Sequence, residues 1–210
     1  MIKIVREHIN EKFTEDSDPI HDMGIGYRRF IEKWLKEHDI NDYIINNDLT
    51  IDLDHSLSFY FEPTSNLPKY IQFNHVNGEV NLTSTGVTSL RGFPKTIKGS
   101  LYLGRNNLKS LKYCPQGEIN SLMIFKNSIT SLKGCPSKIY NNFNCTNNPL
   151  KSLNYMPTYI GGDFICYPGD SLTLSEDYIY DYIMTHKIFI GGKRITTIVA
   201  ARNDKYITTV

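Results

Sequence analysis

The chain has 210 residues, 40% of them hydrophobic, which suffices for a folded domain with its own core and excludes wholesale disorder. Its apolar runs are a few residues long, far short of the roughly 20 that a membrane-spanning helix requires. Four cysteines are too few for a disulfide scaffold, and the N-terminus lacks the pattern of a secretory signal, so we expect a cytoplasmic protein.

The formal net charge of +1 conceals an uneven distribution along the chain. Residues 1–78 contain 8 Lys and Arg against 14 Asp and Glu, whereas residues 79–169 contain 10 against 3. An acidic beginning and a basic middle predict two surfaces that favour different partners.

The first predicted element, residues 1–26, is an acidic N-terminal arm. Gly24 and Gly26 are interpreted as a flexible joint at its end. Residues 27–78 are predicted to form a cap with a helix, strands and a partial repeat. Its apolar residues at helical spacing are Phe30, Ile31, Trp34 and Leu35. Apolar alternation predicts two strands, and their inward residues are Leu49, Ile51 and Leu53, then Leu57, Phe59 and Phe61.

Residues 79–169 form an array that repeats every 21 residues. The repeating Ser-Leu pairs begin at Ser89, Ser110, Ser131 and Ser152. Prolines keep the same step at Pro94, Pro115, Pro136 and Pro157. The alternating apolar pairs are Val80/Leu82, Leu101/Leu103, Leu122/Ile124, Phe143/Cys145 and Phe164/Cys166. Since one such unit has too little surface to bury a core, neighbouring units must stack.

Each column of the array has a physical interpretation. The apolar pair predicts a short strand with alternate side chains inward. A column of Gly78, Gly99, Asn120, Asn141 and Gly162 predicts a positive φ, which is cheap for those residues. A column of Thr85, Asn106, Asn127 and Asn148 predicts a buried amide ladder, and the serines predict a second, hydroxyl ladder. Glu118 occupies a column that is otherwise Ile, which predicts a turn shifted by one residue.

The consensus apolar-x-apolar-x-x-Asn-x-apolar-x-Ser-Leu-x-x-x-Pro resembles the short bacterial type of leucine-rich repeat. It is most similar to arrays in proteins of large tailed bacteriophages, strongly over 79–169 and weakly over 57–78. The resemblance implies an α+β repeat fold, a leucine-rich-repeat solenoid of about five units with one parallel strand per 21-residue unit and helical and β caps. The N-terminal arm contains INEKFTEDSDPIHDMGIG at residues 9–26. This segment resembles an arm found in proteins of large phages of Bacteroidetes hosts, which implies a host-cytoplasmic location, with virion association as the alternative.

Residues 170–210 are predicted to form a C-terminal cap. Thr173 and Glu176 have the spacing of a capping box, which opens a helix that carries Ile179 and Ile183. Residues 188–210 are then predicted to form two or three short strands, the β-hairpin part of the cap, with turns at Gly191-Gly192 and Asn203-Asp204.

No motif predicts catalysis, a metal or a cofactor. The four cysteines replace core hydrophobes in their columns, and no Cys-x-x-Cys pair suggests zinc, so we predict that they pack in the core. The carboxylates of Asp48, Asp52 and Asp54 are predicted to lie on exposed surface. We therefore predict a non-enzymatic protein.

The predicted partner-binding residues lie on the concave side of the sheet. Strand alternation turns the residues between and beside the inward pairs toward solvent. The resulting predicted site consists of Tyr102, Met123, Phe125, Asn144, Ile165 and Tyr167. Contiguous exposed apolar groups are typical of interfaces, so the predicted function is binding of a protein partner. Cover by another part of the chain and self-association are the alternatives.

A basic stripe supplies an alternative function. Its residues are Arg91, Lys109, Lys112 and Lys133. With aromatic residues nearby, such a stripe is typical of surfaces that bind nucleic acid or another acidic partner. A spaced lysine column is also typical of a solvated edge that discourages lateral strand pairing.

Overall fold

The computed structural model describes residues 20–59, 66–166, 174–191 and 195–196, with the backbone alone at 20–25, 176 and 195–196. The chain is a parallel-strand β-solenoid of about five turns, with about 21 residues per turn and few helices. The described part begins with helix α1 (Ile20–Glu37) and an antiparallel hairpin of β1 (Tyr43–Ile45) and β2 (Ile51–Leu53).

Two series of short strands follow in alternation along the chain. One series is β3 (Leu57–Ser58), β5 (Val80–Asn81), β7 (Leu101–Tyr102), β9 (Leu122–Met123), β11 (Phe143–Asn144), β13 (Phe164–Ile165) and β15 (Ile195–Thr196). The other is β4 (Phe73–Val76), β6 (Thr96–Ile97), β8 (Gln116–Gly117), β10 (Lys138–Ile139), β12 (Tyr159–Ile160) and β14 (Phe189–Ile190). The first series pairs in parallel into one seven-stranded sheet, which we name the long sheet. The second forms the flanking sheets, in the orders β1-β2-β4-β6-β8 and β10-β12-β14.

Each turn therefore contributes two strands, whereas the sequence predicted one. Ile97, Ile139 and Ile160 of the flanking strands are buried, and three residues lead from each to the next strand of the long sheet. The short second strand forms because identical turns stack in register, so that any extended dipeptide meets its counterpart in the next turn.

The core confirms the predicted inward pattern. The apolar pairs from Val80/Leu82 to Phe164/Cys166 are buried, and the leucines of the Ser-Leu pairs line up in the interior as Leu90, Leu111, Leu132 and Leu153. Phe143 stacks on Phe164 with ring centroids 5.6 Å apart. Neighbouring turns thus supply one another's interior.

The asparagine column forms the predicted buried ladder. The side-chain amide of Asn127 donates to the carbonyls of Leu103 (2.9 Å) and Ile124 (3.1 Å), and its Oδ1 accepts from the backbone N–H of Leu108 (3.0 Å). Asn106 and Asn148 repeat this pattern in the neighbouring turns, so each of the two carbonyls is shared by two consecutive asparagines. The ladder therefore satisfies polar backbone groups that face the core.

The predicted serine ladder is wrong. Each Ser Oγ accepts from the backbone N–H two residues later in its own turn, at 3.2 Å for Ser89, 3.0 Å for Ser110, 3.2 Å for Ser131 and 3.4 Å for Ser152. A hydroxyl on its short stem reaches this local donor, and so it stabilises the turn after the Ser-Leu pair within one coil.

The predicted positive φ of the Gly/Asn column is also wrong. Glycine at Gly99 serves close approach instead, since a Cβ there would lie 2.6 Å from the backbone of Gly78 in the preceding turn. Left-handed conformations occur in two other columns, which are Ser84, Arg105, Lys126 and Asn147, and then Gly92, Tyr113, Gly134 and Tyr155. Both columns lie at corners, where the stacked turns require the chain to change direction.

The predicted one-residue shift at Glu118 is confirmed. Ile97 pairs with Gly117 rather than with residue 118, and Ile119 is buried in place of the exposed Glu118. Gly117 has a φ of 105°, a conformation that lets the chain absorb the shift at little cost. The flanking sheet ends at this strand, β8.

Helix α1 begins at Ile20 and runs through Gly24 and Gly26, so the predicted joint there is wrong and the helix enters the predicted arm. A helix tolerates a glycine at a cost of about 1 kcal/mol. Its predicted face is confirmed, because Ile31, Trp34 and Leu35 are buried. The Trp34 ring lies 6.0 Å from that of Phe59 and 6.5 Å from that of Phe73.

One predicted strand residue of this region lies elsewhere. Leu49 has a φ of 65° and belongs to the turn before β2. Phe61 lies outside the described residues.

The strands on either side of Gly191-Gly192 continue the solenoid instead of forming a hairpin, and the predicted turn at Asn203-Asp204 lies outside the described residues. β14 pairs in parallel with β12 and β15 with β13, so the strands on either side of Gly191-Gly192 belong to different sheets. Between them and the repeats lies helix α2 (Glu176–Thr185), whose N-cap is Ser175, with Oγ accepting from the Tyr178 N–H at 3.1 Å. Thr173 lies outside the described residues. Ile179 and Ile183 are buried as predicted.

Neither α1 nor α2 combines the length and apolar character that crossing a bilayer requires, and these are the helices of the described part of the chain.

His55 lies between two backbone carbonyls. Its Nε2 is 2.7 Å from the Asn41 oxygen and its Nδ1 is 2.8 Å from the Ser56 oxygen. Both contacts require N–H donors, and only the protonated imidazole has two. The hydrogen bonds to Asn41 and then Ser56 therefore raise the pKa of His55 above its usual 6.5.

We expect this histidine to make the protein more stable at mildly acidic than at alkaline pH. A raised pKa in the folded state gives a contribution that is complete below 6.5 and disappears as the pH rises through the folded value. The pKa of Asp52 is lowered, so the loss of its contribution falls near or below 3.8, outside this window. Urea unfolding across the two pH ranges measures the effect, and His55→Gln is expected to reduce it. An unchanged pH dependence in that variant contradicts the assignment.

Candidate binding surfaces

The long sheet places four of the predicted partner-binding residues side by side. Tyr102 lies opposite Met123, Met123 opposite Asn144, and Asn144 opposite Ile165. All four are half-buried, and neighbouring strands are about 4.8 Å apart. We name this set the long-sheet row. Strand alternation positions it, because the residues on either side of each member are core side chains.

Phe125 lies two residues after Met123, just beyond the end of β9. A Cβ on Gly104 would collide with the Phe125 ring, so the ring covers this buried glycine of the neighbouring turn. Phe125 itself stays half-buried and borders the row. Tyr167, the remaining predicted member, lies outside the described residues.

Asn144 already uses part of its hydrogen-bonding capacity. Its Oδ1 accepts from the backbone N–H of Thr146 at 3.0 Å and from the Thr146 hydroxyl at 2.8 Å. Asn81 makes the same backbone contact with Thr83, at 3.0 Å. These bonds fix the side chains in place and leave the amide N–H groups to face solvent. The row thus presents apolar area and pre-oriented donors.

A polar cleft of about 280 Å³ lies beside the flanking sheet at the N-terminal end. It is lined by Asp42, Ile44, Asp52, Leu53, Asp54, His75, Asn77 and Lys98. Asp52 was predicted to be exposed but is half-buried, because it joins β1, β2 and β4. Its carboxylate accepts from the side chains of Asn46 (3.0 Å) and Asn74 (2.9 Å) and from the His75 N–H (2.9 Å). Burial opposes ionisation, but these donors prevail and lower the pKa of Asp52.

The cysteines are core residues, as predicted. Cys114, Cys145 and Cys166 are buried and Cys135 is half-buried. Burial raises the pKa of Cys114 to about 12, and it raises the pKa of Cys135 and Cys145 well above the usual value. Buried thiols with raised pKa are poor nucleophiles. Among the described residues, no three His, Cys, Asp or Glu side chains converge as metal ligands would.

The predicted basic stripe is fully on the surface. Arg91, Lys109, Lys112 and Lys133 are exposed, and the Lys112 Nζ lies 4.9 Å from the centre of the Tyr113 ring. In the described part of the chain the ion pair is Lys33–Glu37 in α1, at 3.8 Å, so no cation of the repeats has a carboxylate within 4.0 Å.

Sequence reasoning missed a second set of exposed aromatic side chains. Tyr140 is 52% exposed and Phe189 53%, more than any member of the long-sheet row, and Tyr159 between them is half-buried. They lie on or next to the flanking strands, and so they depend on the second strand of each turn. The available signal was alternation around the Ile column, where Tyr140 follows Ile139 and Tyr159 precedes Ile160.

Comparison with known proteins assigns the chain to no family. No family model, no curated protein and no solved structure matches it. What the structure shows is the fold, a parallel β-solenoid with about 21 residues per turn.

Proposed function

We propose that the protein is a non-enzymatic interaction module that binds a protein partner on the outward face of its long sheet. The observation that supports this most is the register that aligns Tyr102, Met123, Asn144 and Ile165 on adjacent strands. A row of half-buried apolar side chains around a central amide has the composition of an interface core, which is enriched in Tyr, Phe and Met.

The mode of action is display by a rigid surface. Backbone ladders hold every strand of the row, and the Thr146 contacts hold Asn144, so few rotamers are lost when a partner docks. Pre-organisation of this kind raises affinity by lowering the entropic cost of association. Tyr102 and Phe125 are the expected anchors, because binding energy concentrates in a few buried aromatic residues.

We also propose which type of repeat forms the solenoid and which element caps its N-terminal end. The Asn ladder, the Ser-Leu rungs and the 21-residue step support a leucine-rich repeat of the short bacterial type. That a large phage encodes it is proposed from the resemblance of the consensus alone. Helix α1 serves as an N-terminal cap in this proposal, because Trp34 packs against Phe59 and Phe73 at the first turns. End covers of this kind are needed for solubility in solenoids.

The test uses a protein that co-purifies with the tagged chain, identified and then prepared on its own. We expect the triple variant Tyr102→Ser, Met123→Ser, Phe125→Ser to weaken this complex by at least about 100-fold, because two anchors are each worth about 2 kcal/mol or more. Calorimetric titration measures the affinity. Denaturant unfolding is expected to change by no more than about 1–2 kcal/mol, since the three side chains are half-buried.

The matched control is the double variant Tyr113→Ser, Tyr155→Ser. It removes two aromatic rings that lie outside the long-sheet row and are more exposed than its members. It is expected to bind as the parent does. Equal weakening by both variants, unchanged binding by the triple variant, or no protein that co-purifies in stoichiometric amount contradicts the proposal.

A further inference from the structure

The flanking strands at the C-terminal end carry an aromatic stack that the long-sheet proposal does not use. Tyr159 and Phe189 lie opposite each other in β12 and β14, with ring centroids 4.9 Å apart and planes within 8° of parallel. The Tyr140 ring is 6.2 Å from that of Tyr159 and is tilted by 58°. We name these three residues the aromatic column.

The ends of the aromatic column are open. Tyr140 and Phe189 keep about half of their surface exposed, at 52% and 53%. Among the described residues β14 is the last strand of its sheet, so no described strand of that sheet covers the Phe189 ring on the side away from Tyr159. These rings therefore contribute little to the core and offer apolar surface to a ligand.

A lysine lies beside the column. Lys138 of β10 lies directly opposite Tyr159. Its side chain is exposed, and no described carboxylate lies within 4.0 Å of it. From Arg91 to Gly162 the chain has ten Lys and Arg and a single acid, Glu118. The surface is thus cationic along several successive turns.

Lysine and exposed aromatic rings together favour one class of ligand. Protein interfaces are depleted in Lys, whereas surfaces for single-stranded nucleic acid combine a positive track with rings on which bases stack. Duplex nucleic acid makes no use of such rings, since its bases are already stacked and paired. The charge complements phosphate, and the ring faces complement bases.

We propose that the aromatic column, with Lys138, binds single-stranded nucleic acid. Bases stack against Tyr140 and Phe189 at the two ends of the column, and Lys138 lies along the phosphate chain. This surface is separate from the long-sheet row and does not depend on it. The geometry does not select the sugar, so DNA and RNA are separate arms of the test.

The test is fluorescence anisotropy with labelled oligo-thymidine and oligo-uridine of about 16 nucleotides, and a duplex of equal length. We expect single strands to bind more tightly than the duplex. Tyr140→Ser with Phe189→Ser is expected to weaken binding by tenfold or more, since a base–aromatic stack is worth roughly 5- to 100-fold in affinity. Lys138→Ala is expected to reduce the slope of log affinity against log salt by about 0.7.

Matched controls separate this surface from the others. Tyr180→Ser on α2 removes a ring that is 37% exposed, and Lys36→Ala on α1 removes an exposed cation. Both are expected to bind as the parent does, as is Tyr102→Ser with Met123→Ser in the long-sheet row. Retained binding in that last variant distinguishes this proposal from the proposed protein-binding function.

Three results overturn the proposal. The first is no binding of either single strand at low salt. The second is equal or tighter binding of the duplex. The third is binding that polyglutamate displaces as well as an oligonucleotide does and that the two ring substitutions leave unchanged, which identifies a surface for acidic proteins instead.

Discussion

Replacing Asn127 by Ala is expected to lower the free energy of unfolding by about 2–4 kcal/mol. The substitution removes the acceptor of the buried N–H of Leu108, and it removes one of two donors from each of the carbonyls of Leu103 and Ile124. A buried donor without a partner costs about 1–3 kcal/mol, and the carbonyls add to this because they lie in the core. Urea unfolding followed by circular dichroism measures the change.

Two variants make this prediction specific to the ladder. Asn107→Ala removes an exposed amide in the turn before that of Asn127. The Asn107 backbone N–H keeps its bond to the Val87 carbonyl, so this variant is expected to be nearly neutral. Asn127→Asp keeps the shape but directs a carboxylate oxygen at two carbonyls, so it is expected to be at least as damaging as Ala. A loss below about 1 kcal/mol for Asn127→Ala contradicts the role of the ladder.

Replacing Phe143 by Ala is expected to cost about 3–5 kcal/mol, the largest effect among these substitutions. Phe143 is completely buried and stacks on Phe164 of the next turn. Because each turn of a solenoid contacts only its neighbours, no other part of the chain can collapse into the resulting cavity from far away. The same unfolding experiment measures the loss.

Phe143→Leu provides the graded control. Leu occupies this column at Leu101 and Leu122, so the turn accepts its shape, and the expected cost is about 1 kcal/mol with loss of the ring stack. If Phe143→Ala and Phe143→Leu are equally destabilising, volume is not the cause and the assignment of this column to the core is contradicted.

The repeat made most of the fold predictable. A 21-residue step determines which residues stack, and stacking determines that the Leu101 and Leu103 columns are inward and that the Asn127 column is buried. The helical face of Trp34 and Leu35 followed from spacing in the same way. These predictions succeeded because periodicity in a chain of L-residues translates directly into which side of a strand or helix a side chain occupies.

The errors concern how one turn touches the next. Ser110 has the same spacing as Asn106, yet its hydroxyl bonds within its own turn, and Gly99 is required by the backbone of Gly78 rather than by its own φ. Spacing does not give the reach of a side chain or the distance between two stacked backbones. The reach and the distance both depend on the backbone path through the corners of each turn, and only the folded structure determines that path.

For the candidate surfaces too, the sequence determined some neighbours and the tertiary structure determined others. Alternation along the sequence determined that Tyr102 and Met123 share a face, and the register confirmed that they are neighbours. The contact of Phe189 with Tyr159 was decided by the tertiary structure alone, because 29 residues, including α2, lie between them in the chain. Periodicity relates residues one repeat apart. Once a helix interrupts the repeat, only the pairing of β14 with β12 determines which side chains meet.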